Sequence, residues 1–133
     1  MSAPLAPGLS AQLTMTVTPA HSADALGNRG VAVFATPFLI AFLENASNAV
    51  LKAHFAPGGG SVGTMIDVKH LAATPLGMTV RATATIVEID GKRVLFAVEA
   101  WDEVEKIAEG RHERFIVPNL ERFLERAAKK GKA

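Results

Sequence analysis

The chain has 133 residues, of which 49% are hydrophobic and 20% are charged. This composition is typical of one compact globular domain with a sizeable core, which we take as residues 1–133. The 14 Lys and Arg against 13 Asp and Glu give a formal net charge of +1, which argues against nucleic acid or an acidic membrane surface as a partner. Cysteine is absent, which excludes disulfides, thiolate metal sites and a cysteine nucleophile and suits a cytoplasmic protein.

The N-terminal segment does not match the pattern of a secretory signal. The segment MSAPLAPGLS lacks the basic region and long apolar core of a secretory signal, so we expect a short tail there. The longest nearly apolar run, VAVFATPFLIAFL, contains a proline and is shorter than the roughly 20 residues that a membrane span needs. The sequence therefore predicts a buried helix in this region and no transmembrane segment.

The first predicted strand is AQLTMTVTP, in which apolar residues alternate with threonines up to Pro19. The segment that follows, AHSADALGNRGVAVF, has closely spaced glycines and no regular apolar period. This pattern indicates a surface loop. A loop in this position can act as a lid over a site.

A long helix is predicted next. Thr36 and Pro37 match an N-cap residue and a first-turn proline, and the apolar run extends to LKAHF before APGGG ends it. Asn45, Asn48 and Lys52 form the one polar stripe. The apolar residues lie on so many faces that we expect protein to surround the helix on most sides; they are Phe38, Leu39, Ile40, Phe42, Leu43, Ala46, Val50 and Leu51.

Four predicted strands follow: SVGTMIDVKHLAA, GMTVRATATIVEID, KRVLFAVEAWDEV and KIAEGRHERFIV. Their separators suit antiparallel hairpins, and NLERFLERAAKK has the spacing and basic last turn of a short C-terminal helix. A long central helix wrapped by a curved, mostly antiparallel sheet is an α+β architecture, the hot-dog fold. The unpaired edge strand of such a sheet predicts a homodimer, or a dimer of dimers.

Glu44 and His70 are the first candidates for chemistry. Glu44 interrupts the apolar helix, and it is either a partly exposed carboxylate near the polar stripe or a base or nucleophile. His70 ends a predicted strand, where a histidine is either merely solvated or available for catalysis. His54, at the helix C-terminus, and His112, within EGRHER, receive no role.

Thr36 has a structural role as a helix cap to set against a catalytic one. Eight helical residues place it about 12 Å from Glu44 along the axis. If the two act together, either the helix begins after Thr36 or both reach a substrate from different ends.

The carboxylates and histidines do not cluster at metal-ligand spacings, and APGGGSVGT lacks the lysine of a phosphate loop. We therefore expect no metal or other cofactor.

The motifs VFATPFLIAFLE, GGGSVGTMIDVKHLAATPLGMTV and GRHER resemble the fluoroacetyl-CoA thioesterase family of hot-dog proteins, over residues 31–123. By matching position, the resemblance implies a catalytic set of Thr36, Glu44 and His70. It also implies that Gly63 is the glycine that polarises the substrate and that Arg114 is the arginine of the active site. The implied activity is hydrolysis of a short or small acyl-CoA ester.

The implied chemistry needs no cofactor. Glu44 attacks the thioester or activates water, His70 shuttles protons, and the backbone N–H of Gly63 stabilises the oxyanion. Thr36 orients or activates the attacking group through its hydroxyl. Arg114 places a positive charge near Glu44 or the substrate.

The lid departs from the family pattern, because DALGNRGVAVFAT has Gly27 and Gly30 where bulky aromatic gate residues are expected. A looser lid would admit other short acyl groups.

We expect the CoA phosphates near the dimer seam, at Lys69, Arg111 or the KKGK tail. Two other functions stay open: a non-catalytic acyl-CoA binding protein of the same fold and an enoyl-CoA hydratase.

Overall fold

The computed structural model describes residues 4–132, so the first three residues of the predicted N-terminal tail lie outside the described residues. The predicted order of strands and helices is confirmed. The elements are β1 (Ser10–Thr16), α1 (Thr36–Leu51), β2 (Gly60–His70), β3 (Thr79–Asp90), β4 (Arg93–Trp101), β5 (Lys106–Val117) and α2 (Leu120–Ala128). Short 3-10 turns lie in the loop before α1, at Pro19–His21 and Asp24–Leu26, and after each helix, at Lys52–His54 and Lys129–Lys132. None of the described helices is long and apolar enough to cross a membrane.

The five strands form one antiparallel sheet in the order β1-β3-β4-β5-β2. The three central strands alternate buried and more exposed residues, as the period-2 pattern predicts. Their inner faces pack against α1, with Leu39, Leu43 and Leu51 of the helix among the fully buried side chains. This strand order places β1 and β2 at the two edges of the sheet. Each of them leaves one side of its backbone unpaired by the described residues.

The sheet covers one side of α1 rather than most of its circumference. The residues Pro37, Ala41 and Asn45 follow one another at helical spacing and are exposed, while Phe38 and Ile40 are half-buried. The apolar pattern of the helix therefore exceeds what one sheet can cover.

Thr36 is not the N-cap residue that the sequence predicts. Ala35 is the N-cap, Thr36 is the first helical residue, and no side chain caps this end of α1. The Thr36 hydroxyl instead has a tertiary partner, described below. The helix also ends earlier than predicted, because the chain tightens into a 3-10 turn from Lys52.

A β-bulge in β2 decides which of its side chains face the helix. Gly63 pairs with Arg114 and Met65 pairs with Glu113, so Thr64 is the extra residue. Beyond the bulge, His70 pairs with the buried Ala108 on β5. Since directly opposed residues of an antiparallel pair share a face, Gly63 and His70 both lie on the inner face, although they are seven residues apart.

Candidate active site

The first cluster joins the start of α1 to the end of β2. The Oγ1 of Thr36 lies 2.8 Å from the Nδ1 of His70. Both residues line a cleft of about 400 Å³ together with small and apolar residues of the preceding loop and of the segment after β2. The Thr36 hydroxyl does not cap the first turn of α1. It is therefore available to bond to His70, the last residue of β2.

His70 presents an unused nitrogen in this cluster. Its Nε2 is shielded from solvent and has no hydrogen-bond partner among residues 4–132. Burial lowers the pKa of His70, and the backbone of Ala72 opposes part of this effect. Because Thr36 occupies Nδ1, Nε2 is the ring nitrogen of His70 that has no hydrogen-bond partner among the described residues.

The second cluster brings together Glu44, Gly63 and Arg114. The Nη1 of Arg114 lies 3.4 Å from the Oε2 of Glu44. Arg114 is 8% exposed, whereas the side chain of Glu44 is 39% exposed, so Glu44 is partly open to solvent rather than enclosed in the core. An added Cβ at Gly63 would lie 2.7 Å from the same Oε2, which shows how closely the backbone of β2 approaches the carboxylate. Glu44 and Gly63 line a cleft of about 300 Å³.

His112 also belongs to the second cluster, although its sequence pattern predicted no role for it. It is 1% exposed, and its Nε2 lies 3.1 Å from the Nη1 of Arg114. An arginine only donates, so Nε2 accepts and Nδ1 carries the proton that His112 donates to the carbonyl oxygen of Met65, 2.8 Å away. Burial and, to a smaller extent, the charge of Arg114 lower the pKa of His112. The signal that could have found it is the period-2 alternation of RHER, which sends His112 and Arg114 to one face.

The single chain therefore divides the five predicted site residues into two groups. Thr36 and His70 form one, and Glu44, Gly63 and Arg114 form the other. Within residues 4–132, no hydrogen bond or ion pair joins Thr36 or His70 to the second group. Because α1 begins at Thr36, the possibility that the helix starts later is excluded, and Thr36 and Glu44 belong to different stretches of the same helix.

The loop before α1 closes one side of the Thr36–His70 cleft. Asn28 and Val31 of this loop line the cleft. The carboxylate of Asp24 accepts a hydrogen bond of 2.7 Å from the backbone N–H of Gly30, and Gly27 and Gly30 have φ angles of 99° and 84°. These glycines therefore form the turns that fold the loop back on itself.

Lys69 and Arg111, two of the residues predicted to meet CoA phosphates, do not line the cleft of either cluster. Lys69 and Asp67 on the edge strand β2 line a cleft with Arg111 and Glu109 on the neighbouring strand β5. The backbone of the KKGK tail forms the 3-10 turn after α2. Across the described part of the chain, no three His, Cys, Asp or Glu side chains are grouped so as to hold a metal ion.

Comparison with known proteins places the chain in a family. Residues 17–120 match the family described as fluoroacetyl-CoA-specific thioesterase. The chain is 43% identical over 91 residues to the fluoroacetyl-CoA thioesterase of Streptantibioticus cattleyicolor, and the match covers 68% of this chain but only 65% of that protein, slightly under two thirds of its length.

Solved structures agree with this assignment. A mutant of the fluoroacetyl-CoA thioesterase in complex with acetyl-CoA superposes with a TM-score of 0.91 at 32% identity, covering 95% of this chain and 98% of the other. A hot-dog-like protein from Thermanaerovibrio acidaminovorans superposes with a TM-score of 0.84 at 22% identity, covering 93% and 91% of the two chains, and supports the fold alone. The chain therefore belongs to the fluoroacetyl-CoA-specific thioesterase family and has the hot-dog fold.

Proposed function

We propose that this protein is an acyl-CoA thioesterase that hydrolyses a short or small acyl-CoA ester. The observation that carries the proposal is the pair of clusters: a histidine held at Nδ1 by Thr36 with its Nε2 unused, and a carboxylate held by Arg114 beside a glycine. The family relative captured with acetyl-CoA supports a small acyl group. Since acyl-CoA esters are made and consumed inside cells, the proposed compartment is the cytoplasm, and the proposed unit is one domain.

The proposed chemistry assigns one task to each group. The carboxylate of Glu44 either takes a proton from the water that adds to the thioester carbonyl or adds to that carbonyl itself, forming an anhydride that water then hydrolyses. The backbone N–H of Gly63 stabilises the oxyanion, and Arg114 holds the carboxylate of Glu44 in place. The C–S bond breaks as a proton passes through Nε2 of His70 to the leaving sulfur. This proton is the one that the attacking water gives up, either to Glu44 or on hydrolysis of the anhydride, so the products are the carboxylic acid and the CoA thiol, and Glu44 and His70 return to their starting states. Thr36 keeps His70 in the orientation that this transfer needs.

The division of these groups into two clusters supports a dimeric site. β2 is an edge strand of the described sheet, and Ile66 near its middle is 40% exposed. An antiparallel pairing of two β2 strands about a two-fold axis near Ile66 would bring the partner's His70 to the stretch of β2 around Gly63. We therefore propose a homodimer in which Glu44 of one subunit and His70 of the other serve one substrate.

The test is release of free thiol from a panel of short, branched, aromatic and fluorinated acyl-CoA esters, read with a thiol reagent. The protein has no cysteine and adds no background. We expect turnover of at least one ester, and a loss of about a hundredfold or more in Glu44→Ala and His70→Ala. Normal turnover in both variants would refute the site.

The same panel separates the two other functions. Binding of CoA esters without thiol release by a folded protein would identify an acyl-CoA binding protein. Loss of the absorbance of a conjugated enoyl-CoA without thiol release would identify a hydratase. Either outcome would refute the thioesterase.

A further inference from the structure

The guanidinium of Arg114 is held on all three of its nitrogens. The Nη1 faces Glu44 and His112, as described above. The other two nitrogens donate to a single residue: Nε lies 2.7 Å from the hydroxyl oxygen of Ser61 and Nη2 lies 3.1 Å from the carbonyl oxygen of Ser61. A fork of two such bonds fixes the plane of a guanidinium as well as its distance.

The hydroxyl of Ser61 is itself held by a partner. Its oxygen lies 2.5 Å from the Oδ1 of Asn48. Because Arg114 only donates, the Ser61 oxygen accepts from Nε, and its one proton goes to Asn48. Ser61 therefore has a single arrangement that satisfies both neighbours.

These contacts close a ring around the site. Asn48 follows Glu44 by one turn of α1, so both residues lie on the same face of the helix. Ser61 is on β2, and Arg114 is on β5 opposite Gly63. The ring thus ties one face of α1 to two strands at the place where the carboxylate meets the backbone of Gly63.

We propose that Ser61, braced by Asn48, is a positioning residue that holds Arg114 against Glu44. This inference rests on the proposed thioesterase function, in which the direction of the Glu44 carboxylate decides the rate. Without the Ser61 hydroxyl, Nε of Arg114 has no partner in the ring, and a long side chain regains rotational freedom that it had lost. The charge of Arg114 then spends less time beside Glu44 and His112.

The experiment compares Ser61→Ala and Ser61→Thr with the wild-type protein in two readouts. The first readout is kcat and KM for an ester that the wild type hydrolyses. We expect Ser61→Ala to lower kcat by about tenfold or more with little change in KM. We expect Ser61→Thr, which retains a hydroxyl, to have most of the wild-type kcat. The second is the NMR titration of His112, assigned from the spectrum of His112→Asn. Since Arg114 helps to keep His112 neutral, we expect Ser61→Ala to raise the pKa of His112.

A matched control and a second variant keep the inference open to refutation. Ser10→Ala removes an exposed serine at the other edge of the sheet, on β1, and is expected to match the wild type in both readouts. If Ser61→Ala does not fold, Asn48→Ala removes the brace and leaves the hydroxyl, with the same direction of change expected. Unchanged kcat and an unchanged His112 titration in the folded variants would overturn the inference. A wild type that releases no thiol would instead refute the proposed function, while the His112 titration would still test the role of Ser61.

Discussion

At the scale of single residues, the site depends on how little space separates β2 from α1. Gly63 stands where a side chain would touch both Glu44 and His112, since an added Cβ would lie 2.7 Å from the Oε2 of Glu44 and 3.1 Å from the Cε1 of His112. The nearest atom is the end of a flexible, partly exposed side chain. The carboxylate can therefore move away at small cost, but it then leaves Arg114.

We expect Gly63→Ala to fold with a melting temperature close to that of the wild type and to lose about a hundredfold in kcat, because a displacement of roughly 1 Å is enough to misplace a reacting group. The measurements are a thermal melt and the thiol-release assay. Gly131→Ala is the matched control, because a Cβ there meets no neighbour within 4 Å. Wild-type turnover in Gly63→Ala would show that the close approach has no role in the reaction.

The buried histidine makes the stability of the protein depend on pH. Burial lowers the pKa of His112, and that of His70, in the folded state, whereas an unfolded histidine titrates near 6.5. Below about pH 6.5 the unfolded chain therefore binds more protons, and the free energy of unfolding falls with decreasing pH until the folded histidines titrate.

We expect the wild type to lose on the order of 1 kcal/mol more than His112→Gln between pH 7.5 and 5.5. Urea unfolding at the two pH values measures this difference. Ser10→Ala, which leaves every histidine in place, should keep the pH dependence of the wild type. Equal slopes for the wild type and His112→Gln would mean that His112 is not the titrating group.

At the scale of elements, the sequence predicts the strands and helices well because each has a strong local pattern: alternation in the strands and an apolar run bounded by Pro37 and the glycines in α1. It fails where a partner is distant in the chain. The hydroxyl of Thr36 bonds to a histidine 34 residues away instead of capping the helix. The bulge at Thr64 depends on the pairing of β2 with β5, which no local pattern contains.

The helix α2 shows the opposite balance, with a local cap and little packing. Asn119 is its N-cap and accepts a hydrogen bond of 3.0 Å from the backbone N–H of Arg122, and no residue of the helix is buried. We expect Asn119→Ala to weaken α2 by about 1 kcal/mol, with kcat unchanged. Amide hydrogen exchange across Leu120–Ala128 measures the first effect, and Asn119→Asp, which retains a capping oxygen, is the control. A parallel loss of kcat would make α2 part of the catalytic unit.

At the scale of the whole molecule, the separation of the clusters predicts complementation between inactive subunits. If Glu44 and His70 of different subunits serve one substrate, a mixed dimer of Glu44→Ala and His70→Ala has one intact site and one that lacks both groups. Random exchange at equal concentrations then restores about a quarter of the wild-type sites.

The measurement is thiol release after the two variants are mixed, unfolded together and refolded. Each variant refolded alone is the control and stays inactive. An inactive mixture that elutes as a dimer would place the two residues within one subunit, and a monomeric wild type would refute the dimer itself.

The bulge at Thr64 has a consequence for anyone who varies this protein. One extra residue sets the phase of β2, so the inward direction of His70 depends on the length of the strand and not only on its composition. A library that exchanges side chains of β2 other than those of Ser61, Gly63 and His70 keeps the register of the strand, whereas one that adds or removes a single codon between Gly63 and His70 turns the histidine to the opposite face of the sheet. Codon count in this segment is thus a design constraint in its own right.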